Sequence, residues 1–383
     1  MNFNIAAVSI KKNKFNKNKT DLLCGKIGGV CYMPKTLAEL FCEKKIKTLK
    51  RIESTMGSGH HSVFEHMYIT LNLENIPKLF AMVLNNQNVY VTSEKSARYT
   101  RMQMTEKEEA LYNKWQAILQ QKIRQKYPDA SGFMSNTRVK KLAQENARYL
   151  ISVKTPTTMV HTVSYRQLNY LCKWMTNELE KTNSPYTPIF DAFAEFVNFA
   201  KSKNLLDERL MDDGKHRHLS LFNLGEKRNE VFDTVYSMNY DATFAYYAQN
   251  QRHRTLYNEI NQITDKFITP KILLPDQLLS EEWQEDIYSL KDNLPQGTLL
   301  SINERGILEN FVLKLKERLC SCAQLEINDK SKELLERYIK ETPDPEIAKY
   351  LESYNHGSRC TFPDFNCKSN CGFVDGIKGE REI

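Results

Sequence analysis

The sequence predicts an α+β fold in which one unit of mixed sheet and long helices is used twice. Three observations carry that expectation. Two alternating, strand-like runs are each followed at once by helical spacing, each pair leads into a polar stretch, and long amphipathic segments close both halves.

In the first half, FEHMYITLNL alternates apolar and polar residues from Phe64 onward, as a half-buried strand does. IPKLFAMVL then takes helical spacing, and NNQNVYVTSEKSARYTRM reads as a polar loop. Helices are expected around Glu106 to Lys126, halted by Tyr127-Pro128, around Thr137 to Leu150, and over YRQLNYLCKWMTNELEK after Val163. In the second half, VFDTVYSMN alternates from Val231, DATFAYYAQNQ has helical spacing, and RHRTLYNEINQIT reads as another polar loop. A helix around Glu281 to Leu290, the break LPQG, and a long helix from about Asn303 to Leu319 follow. The join is expected between Lys201 and Lys215, a charged stretch ending Asp212-Asp213-Gly214. The expected domains are thus a first repeat at 1–205, a second at 206–355 and a cysteine-containing tail at 356–383. Two unrelated domains would give a similar pattern, and periodicity alone does not separate the two readings.

Composition bounds the function. A chain of 383 residues, 41% hydrophobic, can bury one large core or two ordinary ones. No apolar run approaches the roughly 20 residues of a membrane span, and the lysine-interrupted start is too polar for a secretory signal. The nine cysteines are expected to stay reduced in a cytoplasm. The net charge of +7 is spread along the chain, which favours a small anionic ligand over nucleic acid.

Four clusters invite chemistry. Arg252-His253-Arg254 sets two planar, permanently charged forks beside an imidazole, suited to phosphate or carboxylate; a solvated surface triplet would look the same. Glu94, Ser96 and Arg98 alternate, so an extended chain would present an acceptor, a hydroxyl and a cation on one face; SEKSAR is equally an ordinary soluble loop. His60, His61, Glu65 and His66 lack the HExxH spacing that puts two histidines on one helix face, and no metal is expected there. Cys360, Cys367 and Cys371, with His356, lack paired CxxC spacing and are expected to form a reduced tail. No glycine-rich phosphate loop, nucleophile elbow or dinucleotide fingerprint is present.

These residues resemble the flavin-dependent thymidylate synthases, whose members carry an FEH-containing strand, a helix and a signature of the form RHRxxSxNExSxRY. His60 to His66 is similar to the first part. In the first loop the signature's second half falls on Glu94, Ser96, Arg98 and Tyr99, while its RHR falls on Asn86-Gln87-Asn88. In the second loop RHR is intact at Arg252, His253 and Arg254, and the rest has become EINQIT. Gln249 is similar to a glutamine the family presents to the nucleotide, Arg148 to a substrate-binding arginine, and Arg318 to the arginine held to activate the pyrimidine. Lys291 and Met175 stand at the opposite copies' positions for the last two. The CYM around Cys31 and the cysteine tail resemble the family's ends.

The resemblance implies complementary loss. The first copy keeps Glu94, Ser96, Arg98 and Arg148, the second keeps Gln249, Arg252 and Arg318, and together they make one dUMP site per chain. It implies Arg318 as the catalytic residue, and FAD held by His60, Ser62, Glu65, Glu94, Arg252, His253 and Arg254. The implied reaction is reductive methylation of dUMP to dTMP with methylenetetrahydrofolate and NADPH, in a homodimer of two-repeat chains standing for a tetramer of single units. Hydroxymethylation, action on dCMP, or a non-catalytic nucleotide- or RNA-binding role are the alternatives. Two departures bear on the flavin. The second copy reads Lys227 to Asp233 where the FEH strand would be, and a flavin-proximal asparagine falls on Tyr170 and Leu313.

Overall fold

The computed structural model describes residues 1–8, 15–128, 132–211, 221–225, 227–368 and 371–383; the Asp212-Asp213-Gly214 end of the expected join lies outside them. In chain order, β1 (Asn2–Val8), α1 (Lys17–Tyr32), β2 (Tyr68–Pro77), α2 (Lys78–Leu84), β3 (Tyr90–Glu94), α3 (Glu106–Lys126) and α4 (Asn136–Ala147) come first. Then come β4 (Pro156–Ser164), α5 (Tyr165–Leu179), α6 (Phe190–Ser202), β5 (Val231–Phe232), β6 (Val235–Thr243), α7 (Phe244–Asn250) and β7 (Tyr257–Phe267). The last are α8 (Gln277–Tyr288), β8 (Thr298–Ile307), α9 (Leu308–Arg318) and α10 (Leu325–Glu341).

By packing, the chain divides into two compact units, and neither is contiguous. One comprises Met1–Lys95 with Pro156–Ser220, the other Ser96–Thr155 with Leu221–Ile383. The first unit is built on a sheet of order β1-β2-β4-β3, with every pair antiparallel. Alternation drives it: Ile69, Leu71 and Leu73 of β2 are fully buried. Phe80 of α2 meets Phe193 and Phe196 of α6 at 5.9 and 5.6 Å between ring centroids.

The second unit has a sheet of order β5-β6-β8-β7, also antiparallel throughout. The strand order therefore recurs, with one helix directly after the second strand (α2 or α7) and another directly after the fourth (α5 or α9). Helix α3 starts in a capping box of Thr105 and Glu108, carries acidic residues in its first turn and ends on Arg124 and Lys126. Its Trp115 packs edge-on to Trp283 of α8, centroids 5.1 Å apart, in a core shared with Leu142 and Ala143 of α4.

The structure corrects four expectations. The sheets are antiparallel, not mixed. His61–His66 forms a 3-10 turn, and the strand starts only at Tyr68. Both polar loops contain strands, β3 and β7, which read as polar because each is the last strand at an edge of its sheet, β7 gaining only a short parallel bridge from Phe222 to Ile260 on its outer side. The long helix begins at Leu308, because Asn303 and Glu304 are buried polar residues of β8 and disguise its strand pattern.

Candidate functional site

Helix α4 ends by delivering Arg148, which caps it and opens a 3-10 turn, Arg148–Leu150. The turn is fixed by the LPQG run: Gln296 and Gly297 donate backbone N–H groups to the Ile151 and Tyr149 carbonyls at 2.8 Å each. A side chain at Gly297 would stand 2.9 Å from Tyr149 Cβ, so the close backbone approach requires glycine. From the other direction, Thr243 caps α7, accepting from Tyr246 N, and so places Gln249 and the turn after Asn250. Helix α9 ends at Arg318, and residues 319–324 lead into α10.

These elements bring Arg98, Arg148, Gln249 and Arg318 together within the second unit. Gln324 Oε1 accepts from both Arg148 Nη2 and Gln249 Nε2. Gln324 Nε2 donates to the Tyr149 hydroxyl at 2.7 Å, and that hydroxyl donates to Glu326 Oε2 at 2.8 Å. Glu326 also receives the Thr243 N–H at 2.9 Å and hydroxyl at 2.8 Å, tying the chain back to the cap of α7. Burial raises the Glu326 carboxyl above its ordinary value, with these hydrogen bonds and Arg148 acting the other way.

Arg98 Nε meets Glu145 Oε2 at 2.5 Å and its Nη2 donates to the Cys322 carbonyl at 3.0 Å. Arg318 Nε donates to His253 Nε2 at 2.6 Å, and its Nη2 to the Gln249 carbonyl at 3.2 Å. His253 therefore accepts at Nε2 and carries its proton on Nδ1, 3.6 Å from Glu317. Burial holds this imidazole well below its usual range, and Arg318 and Lys314 depress it further. Burial also lowers Arg148 and Arg318, and Arg98 presses both down by like-charge repulsion.

The arrangement has a clear chemical consequence. Arg148 is 5% exposed, its bonding partner is a neutral amide, and its Nε is buried without a hydrogen-bond partner. The side-chain Oε1 of Gln249 is likewise unpartnered. Guanidiniums crowded against one another, with donors left over, are suited to a bound anion.

Other expected residues fall elsewhere. Arg252 and Arg254 are exposed on the turn after α7, with buried His253 between them. Glu94 ends β3 in the first unit, where Lys78 Nζ meets it at 2.5 Å and Asn85 Nδ2 at 3.2 Å. The extended run stops there. Ser96 opens a turn, its carbonyl accepting from Tyr99 and Thr100 N–H and its Oγ from Arg98 N, so Glu94, Ser96 and Arg98 do not share one strand face. Glu65, in the first unit, pairs with Arg166 at 2.8 Å, while His60 and Ser62 are exposed. Among the described residues no group of three or more His, Cys, Asp or Glu is arranged to hold a metal, and no helix is long and apolar enough to cross a membrane.

Sequence reasoning missed Glu145, Gln324, Tyr149 and Glu326. Glu145 left a signal, a carboxylate on the face of α4 that buries Leu142 and Ala143. Gln324 left none, since a glutamine ahead of a helix is unremarkable in sequence.

Residues 15–179 match the family model of the thymidylate synthase complementing protein. Over that stretch, less than half of its length, the chain is similar to this thymidylate synthase family. It is also similar to three solved structures. A UMP/dUMP methylase from Streptomyces cacaoi, bound with 5-Br dUMP, shares 16% identity over 55% of this chain and 93% of its own, at a TM-score of 0.34. A flavin-dependent thymidylate synthase from Helicobacter pylori, complexed with FAD and dUMP, shares 15% over 57% of this chain and 100% of its own, at 0.31. A second Helicobacter pylori structure with the same ligands shares 14% over 56% and 98%, at 0.32. No curated protein matches the chain.

Proposed function

We propose that this protein is a flavin-dependent enzyme that methylates dUMP reductively to dTMP, with one nucleotide site per chain. The observation that supports it best is buried Arg148, its Nε open, in one compact unit with Arg98, Gln249 and Arg318. The first two come from the first repeat and the last two from the second, as a site assembled from complementary halves requires.

In this reading Arg98 and Arg148 hold the nucleotide phosphate, where forked, charge-assisted bonds are strongest. Gln249 offers its amide to the nucleotide, and Arg252 adds positive charge from the turn. Arg318 stands beside the pyrimidine and favours the form ionised at N3, because a nearby cation stabilises the anion. That raises electron density at C5 without an enzyme nucleophile. Ser96, in the same unit, offers its hydroxyl to the sugar. Tandem repeats pair into a homodimer of chains.

The residues fit FAD in part. Exposed Arg252 and Arg254 suit its anionic diphosphate. His253 fits less well, because it is buried and engaged by Arg318; its role here is to position that arginine. When bound, FAD would supply hydride chemistry, with NADPH as reductant and methylenetetrahydrofolate as carbon donor.

The test is to purify the protein, record its visible spectrum with and without dUMP, and weigh the nucleotide product. Flavin absorbance perturbed by dUMP, and a product heavier by one methyl group, are expected. A hydroxymethyl product would move the assignment to a related modification on the same site. A colourless protein that takes up neither FAD nor dUMP would overturn it.

A further inference from the structure

The loop between α9 and α10 has the sequence Leu319-Cys320-Ser321-Cys322-Ala323-Gln324, and it carries more chemistry than the nucleotide site uses. Its two cysteines face each other: the Cys322 amide donates to Cys320 Sγ at 3.5 Å. Cys322 is exposed and Cys320 is half-buried, so small reagents can reach the pair. Basic side chains brace the loop. Arg381 donates to the Ser321 carbonyl at 3.0 Å and the Ala323 carbonyl at 2.6 Å, and Arg138 donates to the Ser321 carbonyl at 3.1 Å. The backbone N–H of Arg359 also donates to the Leu319 carbonyl at 2.5 Å. Two tail thiols, Cys360 and Cys371, lie near enough to influence the charge of the same loop.

The loop is also wired to the anion site. Arg318 precedes Cys320 by two residues, Gln324 follows Cys322 by two, and the Cys322 carbonyl accepts from Arg98. From this juxtaposition we propose that Cys320 and Cys322 form a reversible disulfide that withdraws the Cys322 carbonyl from Arg98 and turns down nucleotide binding. The switch rests on the dUMP reading above; the disulfide itself does not.

The chemistry is thiol–disulfide exchange with a low-molecular-weight disulfide such as oxidised glutathione. The interaction with Cys322, working against burial and aided by Arg359 and Arg381, lowers the Cys320 thiol and so favours its thiolate as the attacking form. Cys320 Sγ attacks one sulfur of the oxidant, forming a mixed disulfide and expelling one thiolate. Cys322 then loses its proton and attacks Cys320 Sγ, expelling the second. Two protein thiols are oxidised and one disulfide is reduced to two thiols. Closing a ring across a single intervening residue forces the backbone of 320–322 to change, and the Cys322 carbonyl lies within it.

The full-length protein is equilibrated with reduced and oxidised glutathione, digested and mapped by mass, and its dUMP affinity is measured in both states. The peptide holding Cys320 and Cys322 should lose about 2 Da on oxidation, the mass of the two thiol hydrogens, and regain it with dithiothreitol. Affinity should fall at least about tenfold on oxidation, and Cys320→Ser should make it indifferent to oxidant. A protein whose Cys320 and Cys322 never join, or which retains one zinc per chain on these thiols through purification, overturns the proposal. So does a disulfide that forms while dUMP affinity stays unchanged. Reduced protein that binds no dUMP removes the nucleotide reading and the switch with it, whereas the mass map decides the disulfide alone.

Discussion

A guanidinium carried into a protein interior without a direct ion pair costs free energy, and Arg148 is 5% exposed with the Gln324 amide as its hydrogen-bond partner, Glu145 and Glu326 acting on it only through space. In the proposed function that cost is offset when the nucleotide phosphate binds. Arg148→Met keeps the volume and removes the charge, so the free protein should unfold at the same or a higher temperature. Its dUMP affinity should fall ten- to a hundredfold, the equivalent of about 1.5–3 kcal/mol for a lost charged hydrogen bond. Calorimetry on both properties checks this, and parallel losses would mean that Arg148 is structural. His253 makes a second prediction at this scale. Its folded value lies well below 6.5 because burial, Arg318 and Lys314 disfavour the imidazolium. The unfolded chain therefore binds the extra proton as pH falls below about 6.5, and stability drops there by up to about 1.4 kcal/mol per pH unit until the depressed value is reached. His253→Gln still offers Arg318 an acceptor but does not titrate. Urea midpoints of the variant between about pH 5 and 6.5 should lose that part of the slope; an unchanged slope would show that His253 is not its source.

Between elements, the tie that sets the site is Glu304 on β8, wholly buried with Lys314 of α9 at 2.7 Å. It also receives Tyr236 and Tyr240 hydroxyls at 2.9 and 2.8 Å and the Asn250 amide at 2.5 Å, so it fastens α7 and α9 to the sheet. Breaking the pair by Lys314→Met leaves a buried carboxylate and should cost about 3–5 kcal/mol. Pairing it with Glu304→Gln should recover part of that, as read by denaturant midpoint; equal losses in single and double variants would show that the two do not act as a pair. The same two residues mark what the sequence conceals. Helices α3, α4 and α5 were legible because their apolar residues recur at helical spacing and α3 has a capping box, and β6 because it alternates. Strand β8 was not, because Asn303 and Glu304 break the apolar alternation while being buried by partners far away in sequence. At the site, the arginines stood out by type, whereas Gln324 joins Arg148 to Gln249 only through the fold.

For the whole molecule, the decisive fact is which stretches pack together. Ser96–Thr155, carrying Arg98 and Arg148, is compact with Leu221–Ile383, carrying Gln249 and Arg318, although Pro156–Ser220 intervenes in sequence. A tetramer of single units would draw such halves from different chains; here both halves lie in one unit of one chain, at high effective concentration. This leads to a test by complementation, assuming the proposed dimer of chains, whose mass light scattering would give. Arg98→Ala should act mainly on dUMP affinity, because it removes a phosphate partner. Arg318→Ala should act mainly on turnover, because its charge matters most when the ring becomes anionic. When the two variants are mixed under conditions that allow subunit exchange, every chain still carries one damaged half. No activity should return. A site shared between chains would instead place some pockets between two intact halves, and about a quarter to a half of full activity would reappear, the fraction expected from random pairing. Rescue of that size would show that the nucleotide sits between chains and that Arg98 and Arg318 of one chain serve different pockets.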